Sequence, residues 1–319
     1  MKRFFLYLTA VLVLGAALAC RDKTENTPGS PDQAATASPS SEGAAPGVTP
    51  GASRGELKHD GATRTYRLFV PEGIAGGERV PLVVGLHGGL GTGEQFADNS
   101  QFEKAAREHG FIAVFPDGVG RTWNGGNCCG QAARNDVDDV GFLAALIEAL
   151  SARLPIDRER VFMTGHSNGG IMAFRFGCER ADLVAAIAPV AGSLEVPKCE
   201  PSRGVDLLAI HGDADQSHPL NGGQGPRSIA GVDFVSQARS LELWTAGMKC
   251  PDAPTPRPEG ATTTTTWSGC RDGAGARLMI VHGADHPWPG GVNPPPIVRA
   301  ETSKAIDATA VITQFFLER

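Results

Sequence analysis

The sequence predicts an α/β fold, a mostly parallel central sheet covered by helices on both faces. Three observations carry that expectation. From residue 65 onward the chain repeats strand, loop and helix, the order that builds parallel sheets with helices on each side. Several strands read as short continuous apolar runs, as strands buried on both faces do. The chain of 319 residues, 41% hydrophobic and 20% charged, has ample material for a full core, which excludes wholesale disorder and a coiled coil.

Residues 66–70 alternate and end at Pro71, while 81–86 and 111–115 are the continuous apolar runs of buried strands. Residues 140–154 have helical periodicity and stop before Pro155. A strand at 160–164 precedes a helix at 169–178, then strands follow at 185–190 and 207–210. Residues 235–248 are helical, 277–281 form the last strand, and 303–317 form a closing amphipathic helix. Residues 251–266, rich in Pro and Thr, read as a surface loop, and no internal repeat is present.

The N-terminus carries an export signal. Lys2 and Arg3 precede an apolar run over 4–19 that is too short to span a bilayer comfortably, so residues 1–19 read as a signal peptide. Ala17-Leu18-Ala19-Cys20 fits either ordinary cleavage or a lipoprotein signal, with Ala17 standing where the lipobox most often has Leu. The seven cysteines favour the second reading, because lipidating Cys20 leaves an even number in the folded part. Residues 20–53 are then a lipidated Cys and a Pro/Ser/Ala/Gly tether without apolar material to fold, and 54–319 are the folded domain. Membrane association is expected only through that anchor. With 29 Lys+Arg against 35 Asp+Glu and no basic cluster beyond the first residues, nucleic acid is not an expected partner. Aromatics at 6% argue against a stacking platform for polysaccharide. Oligomeric state is not legible.

Gly-x-Ser-x-Gly occurs at residues 51–55 and 165–169, and local context separates the two. Ser53 lies in tether-like composition. Ser167 follows a strand and opens a helix, the strand–turn–helix that a nucleophile elbow requires. Gly165 and Gly169 allow the tight turn to pack, and the helix N-terminus favours developing negative charge. A serine nucleophile needs a base and an orienting acid, which in this architecture follow as Asp and then His. Strand 207–210 runs into His211-Gly212-Asp213-Ala214-Asp215, and strand 277–281 runs into a long loop containing His286. The spacings, 215 − 167 = 48 and 286 − 215 = 71, leave room for the intervening elements. His211 and His282 read as structural strand-end residues. Leu86-His87-Gly88-Gly89-Leu90-Gly91 supplies an oxyanion loop, with the Gly89 N–H joining that of Asn168 and His87 bracing the loop.

Those motifs, together with Trp123-Asn124, Cys128-Cys129-Gly130, residues 135–140 and His286-Pro287-Trp288-Pro289-Gly290-Gly291, resemble the bacterial polyhydroxybutyrate depolymerase-like esterases. That group includes feruloyl esterases, acetylxylan-type esterases and related lipoproteins. The resemblance covers residues 65–319 and implies an α/β-hydrolase fold with Ser167, Asp215 and His286 as the triad. The choice of Asp215 over Asp213 rests on the resemblance. Two departures stand out: Gly89 where the family often has Cys, and His218-Pro219 where it has Val-Pro.

The resemblance implies a carboxylic ester hydrolase that works through an acyl-enzyme and needs no cofactor. Its substrates are expected among feruloyl or acetyl esters of plant polysaccharides and short hydroxyalkanoate esters, with Trp123 and Trp288 binding an aromatic acyl group or sugar. A non-catalytic envelope binding protein and a serine peptidase are the alternatives. The triad residue types in order tell against the first, and the lack of room for a large extra β-domain against the second. Cys250 and Cys270 bracket the Pro/Thr loop and are expected to pair. Cys128 and Cys129, as immediate neighbours, are expected to pair with Cys178 and Cys199 in either order. Suitable Cys-x-x-Cys spacing is lacking, so no metal site is expected.

Overall fold

The computed structural model describes residues 49–74, 78–251, 256–294 and 300–319. The signal segment, Cys20 and most of the tether lie outside those residues. In chain order the strands are β1 (Gly51–His59), β2 (Ala62–Val70), β3 (Val80–Leu86), β4 (Ile112–Pro116), β5 (Ile156–His166), β6 (Ala186–Val190), β7 (Asp206–Gly212), β8 (Arg257–Glu259), β9 (Thr262–Trp267) and β10 (Ala276–Val281). They form one ten-stranded sheet in the order β1-β2-β4-β3-β5-β6-β7-β10-β9-β8. From β4 to β10 in that order the strands are parallel. The two strands at each end are antiparallel additions.

The helices are α1 (Gly93–Ser100), α2 (Phe102–His109), α3 (Gly130–Arg134), α4 (Asp139–Ser151), α5 (Asn168–Glu179), α6 (Gln237–Gly247) and α7 (Ala308–Leu317). Successive side chains of a strand point to opposite faces, so each central strand feeds two cores. Leu82, Val84 and Met163 meet Phe142 of α4, Phe174 of α5 and Trp244 of α6 on one face. Val83, Ala113 and Phe162 meet Phe96, Phe102 and Phe316 of α1, α2 and α7 on the other. Phe162 and Phe316 stack at 4.7 Å between ring centres. Each such buried ring contributes roughly 1.5–3 kcal/mol. Four of these seven helices are capped by a side chain at the N-terminus: Thr92, Asp138, Ser236 and Asp307 each accept a first-turn N–H.

Several local features differ from the sequence reading. Pairing with β2 draws β1 back to Gly51, with Ser53 opposite Leu68, so Ser53 belongs to the sheet and not to the tether. Residues 251–266 are not simply a loop: Thr262–Trp267, five β-branched threonines and an aromatic residue, pairs with β10 and carries β8 with it. The closing helix begins at Ala308, where Asp307 caps it, rather than at 303. Helices α1 and α2 occupy the segment between β3 and β4, to which periodicity assigns no element. The outermost strands are polar, with Arg257, Pro258 and Glu259 of β8 and Arg54, Glu56 and Lys58 of β1 exposed.

The disulfides correct the expected crosswise pairing. Cys178 is bonded to Cys199 (Cα–Cα 5.0 Å), Cys250 to Cys270 (Cα–Cα 4.0 Å), and Cys128 to its neighbour Cys129. The reason is distance along α5. Cys128 and Cys129 pack on Ile171 in its first turns, whereas Cys178 sits near the helix's far end. Seven residues of helix (178 − 171 = 7) span about 10 Å, beyond the reach of a disulfide from that cluster.

Candidate active site

β5 ends at His166 and α5 begins at Asn168, so Ser167 alone makes the turn. Its backbone lies at φ 55°, ψ −119°, a region that costs a non-glycine residue free energy and persists only where the surroundings impose it. The surroundings do so here. The Ser167 N–H donates to the Val190 carbonyl at 2.8 Å. A Cβ at position 165 would strike the carbonyl of Gly169, and one at 169 the carbonyl of Leu86, so both flanking glycines are sterically required. The Asn168 side chain ties the elbow to the neighbouring loop, accepting from the Trp123 N–H at 2.7 Å and donating to the Trp123 carbonyl at 2.9 Å.

His286, in the loop after β10, reaches this serine. Its Nε2 accepts from the Ser167 hydroxyl at 2.9 Å and its Nδ1–H donates to Asp215 Oδ2 at 2.8 Å. Asp215 is 5% exposed, and its other oxygen accepts the N–H groups of Ser217 and His218, each at 2.8 Å. Burial pushes this carboxyl up, but the adjacent His286, His211 and the His218 N–H outweigh it and hold it at about 2. Asp213 is occupied elsewhere: it accepts His282 Nδ1–H at 2.8 Å and the Gly283 N–H at 2.7 Å. His282 also meets the Thr263 hydroxyl at 2.8 Å.

The remaining histidines brace the site. His87 donates to the Gly88 carbonyl and accepts from the Gly118 N–H, which fixes the Gly88–Gly89 loop. His166 Nε2–H donates to the His286 carbonyl at 2.7 Å, and His211 Nε2–H to the His218 carbonyl at 2.7 Å. Burial pulls His87 and His166 down to about 4, and lowers His211 and His218 as well. The folded-state values lie below the unfolded 6.5, so the unfolded chain takes up these protons first. The stabilisation from neutral burial is therefore complete above about pH 6.5 and is lost as pH falls toward 4, at up to about 1.4 kcal/mol per histidine per pH unit. Thermal unfolding at pH 7, 5.5 and 4.5 is expected to show a steep loss of Tm across that interval. A flat profile would mean that these rings take up protons in the folded protein as readily as in the unfolded chain.

Ser167, His286, Gly89 and Asn168 all line one cavity of about 960 Å³. The Gly89 and Asn168 N–H groups donate to no protein acceptor among the described residues. The cavity lining also includes Leu90, Ile171, Phe234 and Arg134; composition and periodicity single out none of these, because two come from separate loops and the others from α5 and α3. Trp123 and Trp288 are not in it, which corrects their expected role as substrate-binding residues. Trp123 is 0% and Trp288 1% exposed. Both indole N–H groups are spent internally, on the His87 carbonyl at 3.0 Å and the Thr309 hydroxyl at 3.1 Å. Trp288 stands edge-on to Phe96 in the core. Among the described residues there is no cluster of three or more His, Cys, Asp or Glu suited to a metal, and no helix is long and apolar enough to cross a membrane.

Residues 64–198 match the sequence profile described as "Esterase PHB depolymerase". The chain is 30% identical over 275 residues to "Putative esterase NocK" of Nocardia uniformis subsp. tsuyamanensis, covering 81% of this chain and 80% of that protein. It is 30% identical over 227 residues to "Feruloyl esterase B" of Piromyces equi, covering 68% of this chain but only 41% of that one, so the chain spans well under half of that relative. An acetyl xylan esterase structure from Aspergillus awamori superposes with a TM-score of 0.55 over 76% of this chain and 95% of that one, at 16% identity, a likeness of fold.

Proposed function

Because the chain belongs to the esterase PHB depolymerase family and has the α/β-hydrolase fold, we propose that it is a serine carboxylesterase whose triad is Ser167, His286 and Asp215. The observation that carries this reading is the unbroken hydrogen-bonded chain from the Ser167 hydroxyl through His286 to Asp215 on the wall of a 960 Å³ cavity. His286 Nε2 takes the hydroxyl proton as Ser167 Oγ bonds to the ester carbonyl carbon. The N–H groups of Gly89 and Asn168 receive the developing oxyanion, at a helix N-terminus that favours negative charge. The imidazolium then protonates the leaving alkoxide as its C–O bond breaks, and water repeats the sequence to release the acid. The low value of Asp215 keeps it ionised, so it orients the ring and stabilises the imidazolium without taking the proton.

The substrate class proposed is feruloyl or acetyl esters of plant polysaccharides or short hydroxyalkanoate esters, supported by the names of the relatives. Export is supported by three disulfides. The six cysteines of the described residues are paired among themselves, which supports the arithmetic that assigns Cys20 to lipidation. The test is a panel of p-nitrophenyl acetate, methyl ferulate, acetylated xylan and polyhydroxybutyrate film, run with a phosphonate label. Turnover of the first, abolished by a label that maps to Ser167, is the expected result. No turnover of any ester, or labelling elsewhere, would overturn the reading.

A further inference from the structure

The loops that carry His286 and Asp215 are joined by a third carboxylate, that of Asp285, which the proposed chemistry leaves unused. Asp285 lies in the loop after β10, and its side chain is 18% exposed. Its Oδ1 accepts two main-chain N–H groups, that of His286 at 2.8 Å and that of Gln216 at 3.0 Å. The first belongs to the base itself and the second to the residue that follows the acid. Its Oδ2 accepts from Arg227 Nη1 at 2.7 Å. Main-chain N–H groups and a guanidinium only donate, so all three bonds run in one direction and no tautomer has to be chosen.

These bonds close a ring beside the triad. The Arg227 N–H donates to the Gln216 carbonyl at 3.0 Å, so both polar main-chain groups of Gln216 are held, one by Arg227 and one by Asp285. Arg227 and Asp285 in turn hold each other. The chain at Gly225 passes so close that a Cβ there would lie 2.4 Å from the Gln216 carbonyl oxygen. His286 is held in the same way: its carbonyl accepts His166 Nε2–H at 2.7 Å, and its N–H goes to Asp285. Asp213 already joins the two loops ahead of Asp215, through His282 and the Gly283 N–H. Asp285 joins them behind it. The 2.8 Å bond from His286 Nδ1 to Asp215 Oδ2 therefore lies between two carboxylate clamps.

We propose that Asp285 is a positioning residue for ester hydrolysis: by bonding His286 and Gln216 through one oxygen, it sets the distance between the His286 ring and the Asp215 carboxylate. The inference rests on the triad reading above. A displacement of about 1 Å in a group that takes part in the chemistry costs about a hundredfold in rate. Loss of this one side chain releases the base and the acid together. Ser167 keeps its own support, the bond from its N–H to the Val190 carbonyl.

The experiment measures kcat and KM on p-nitrophenyl acetate for the wild type, Asp285→Ala, Asp285→Asn and Asp285→Glu. Thermal melts accompany the kinetics, and so does the downfield proton NMR signal of His286 Nδ1–H, assigned by its loss in His286→Ala. Asn keeps an oxygen for the two N–H groups and turns its NH2 toward Arg227. Glu keeps the carboxylate but carries it one methylene beyond the N–H of the next residue. Asp285→Ala is expected to lower kcat and kcat/KM together by about a hundredfold, with the downfield signal broadened or lost. Asp285→Asn is expected to bring turnover back to within about fivefold of the wild type and to restore the signal, whereas Asp285→Glu loses about tenfold or more. If Asp285→Ala fails to fold, the contrast between Asn and Glu decides alone. The proposal, but not the esterase reading, would be overturned by a folded Asp285→Ala within a few fold of the wild type, or by Asn losing as much as Ala or Glu. A raised KM at unchanged kcat, or lost turnover with the signal intact, would do the same. A wild type that hydrolyses no ester would overturn both.

Discussion

Ser167→Ala is expected to lower ester turnover by about six orders of magnitude, with the melting temperature nearly unchanged. In the proposed mechanism the hydroxyl is the attacking group, and it is hydrogen-bonded to His286 Nε2 at 2.9 Å. Alanine keeps the Cβ, so it meets the same backbone demand at φ 55° that serine already meets. The residual rate is what the oxyanion donors and substrate binding supply without a nucleophile. Ser53→Ala, the same change in the other Gly-x-Ser-x-Gly, is expected to do nothing, since Ser53 is exposed on β1. Initial rates and thermal melts of the two variants check this. Substantial activity in a folded Ser167→Ala protein would remove Ser167 from its role.

Asp215→Asn is expected to cost about four orders of magnitude in kcat. The amide either presents N–H groups to His286 Nδ1 or holds the ring less firmly. In the first case the imidazole proton moves to Nε2, where it faces Ser167 and blocks proton uptake. Asp213→Asn is expected to retain activity within a few fold, because Asp213 serves His282 and the Gly283 N–H. Kinetics of both variants, with folding verified, decide the matter. The reverse ranking would assign the acid to Asp213.

The central sheet was legible because its strands are buried on both faces and therefore read as apolar runs. The elbow was legible because Gly165 and Gly169 bracket a serine between a strand and a helix. Asp213 and Asp215 could not be separated by spacing, since both follow β7 and each has a histidine about 70 residues on: 282 − 213 = 69 and 286 − 215 = 71. In the folded loop Asp213 meets His282 and Asp215 meets His286. The β9 strand carried a signal in its threonines, which the surrounding Pro-rich composition obscured. The tryptophans show a different limit. Local sequence gives residue type and loop context, but burial of Trp123 and Trp288 depends on Phe96, Asn168 and Thr309, which come from elsewhere in the chain. The vicinal cysteines were misread for the same reason, because the reach of Cys178 is set by where α5 points.

A sheet with open ends offers rows of unpaired backbone groups on which a foreign strand can add, and growth of that kind is how β-rich proteins aggregate. Here each rim is unfavourable for such growth. Pro258 has no N–H to donate, and Arg257 and Glu259 beside it would carry their charges into any new seam. At the opposite rim, Arg54, Glu56 and Lys58 do the same along β1. The charges and the proline of the two outermost strands thus disfavour strand addition at either rim.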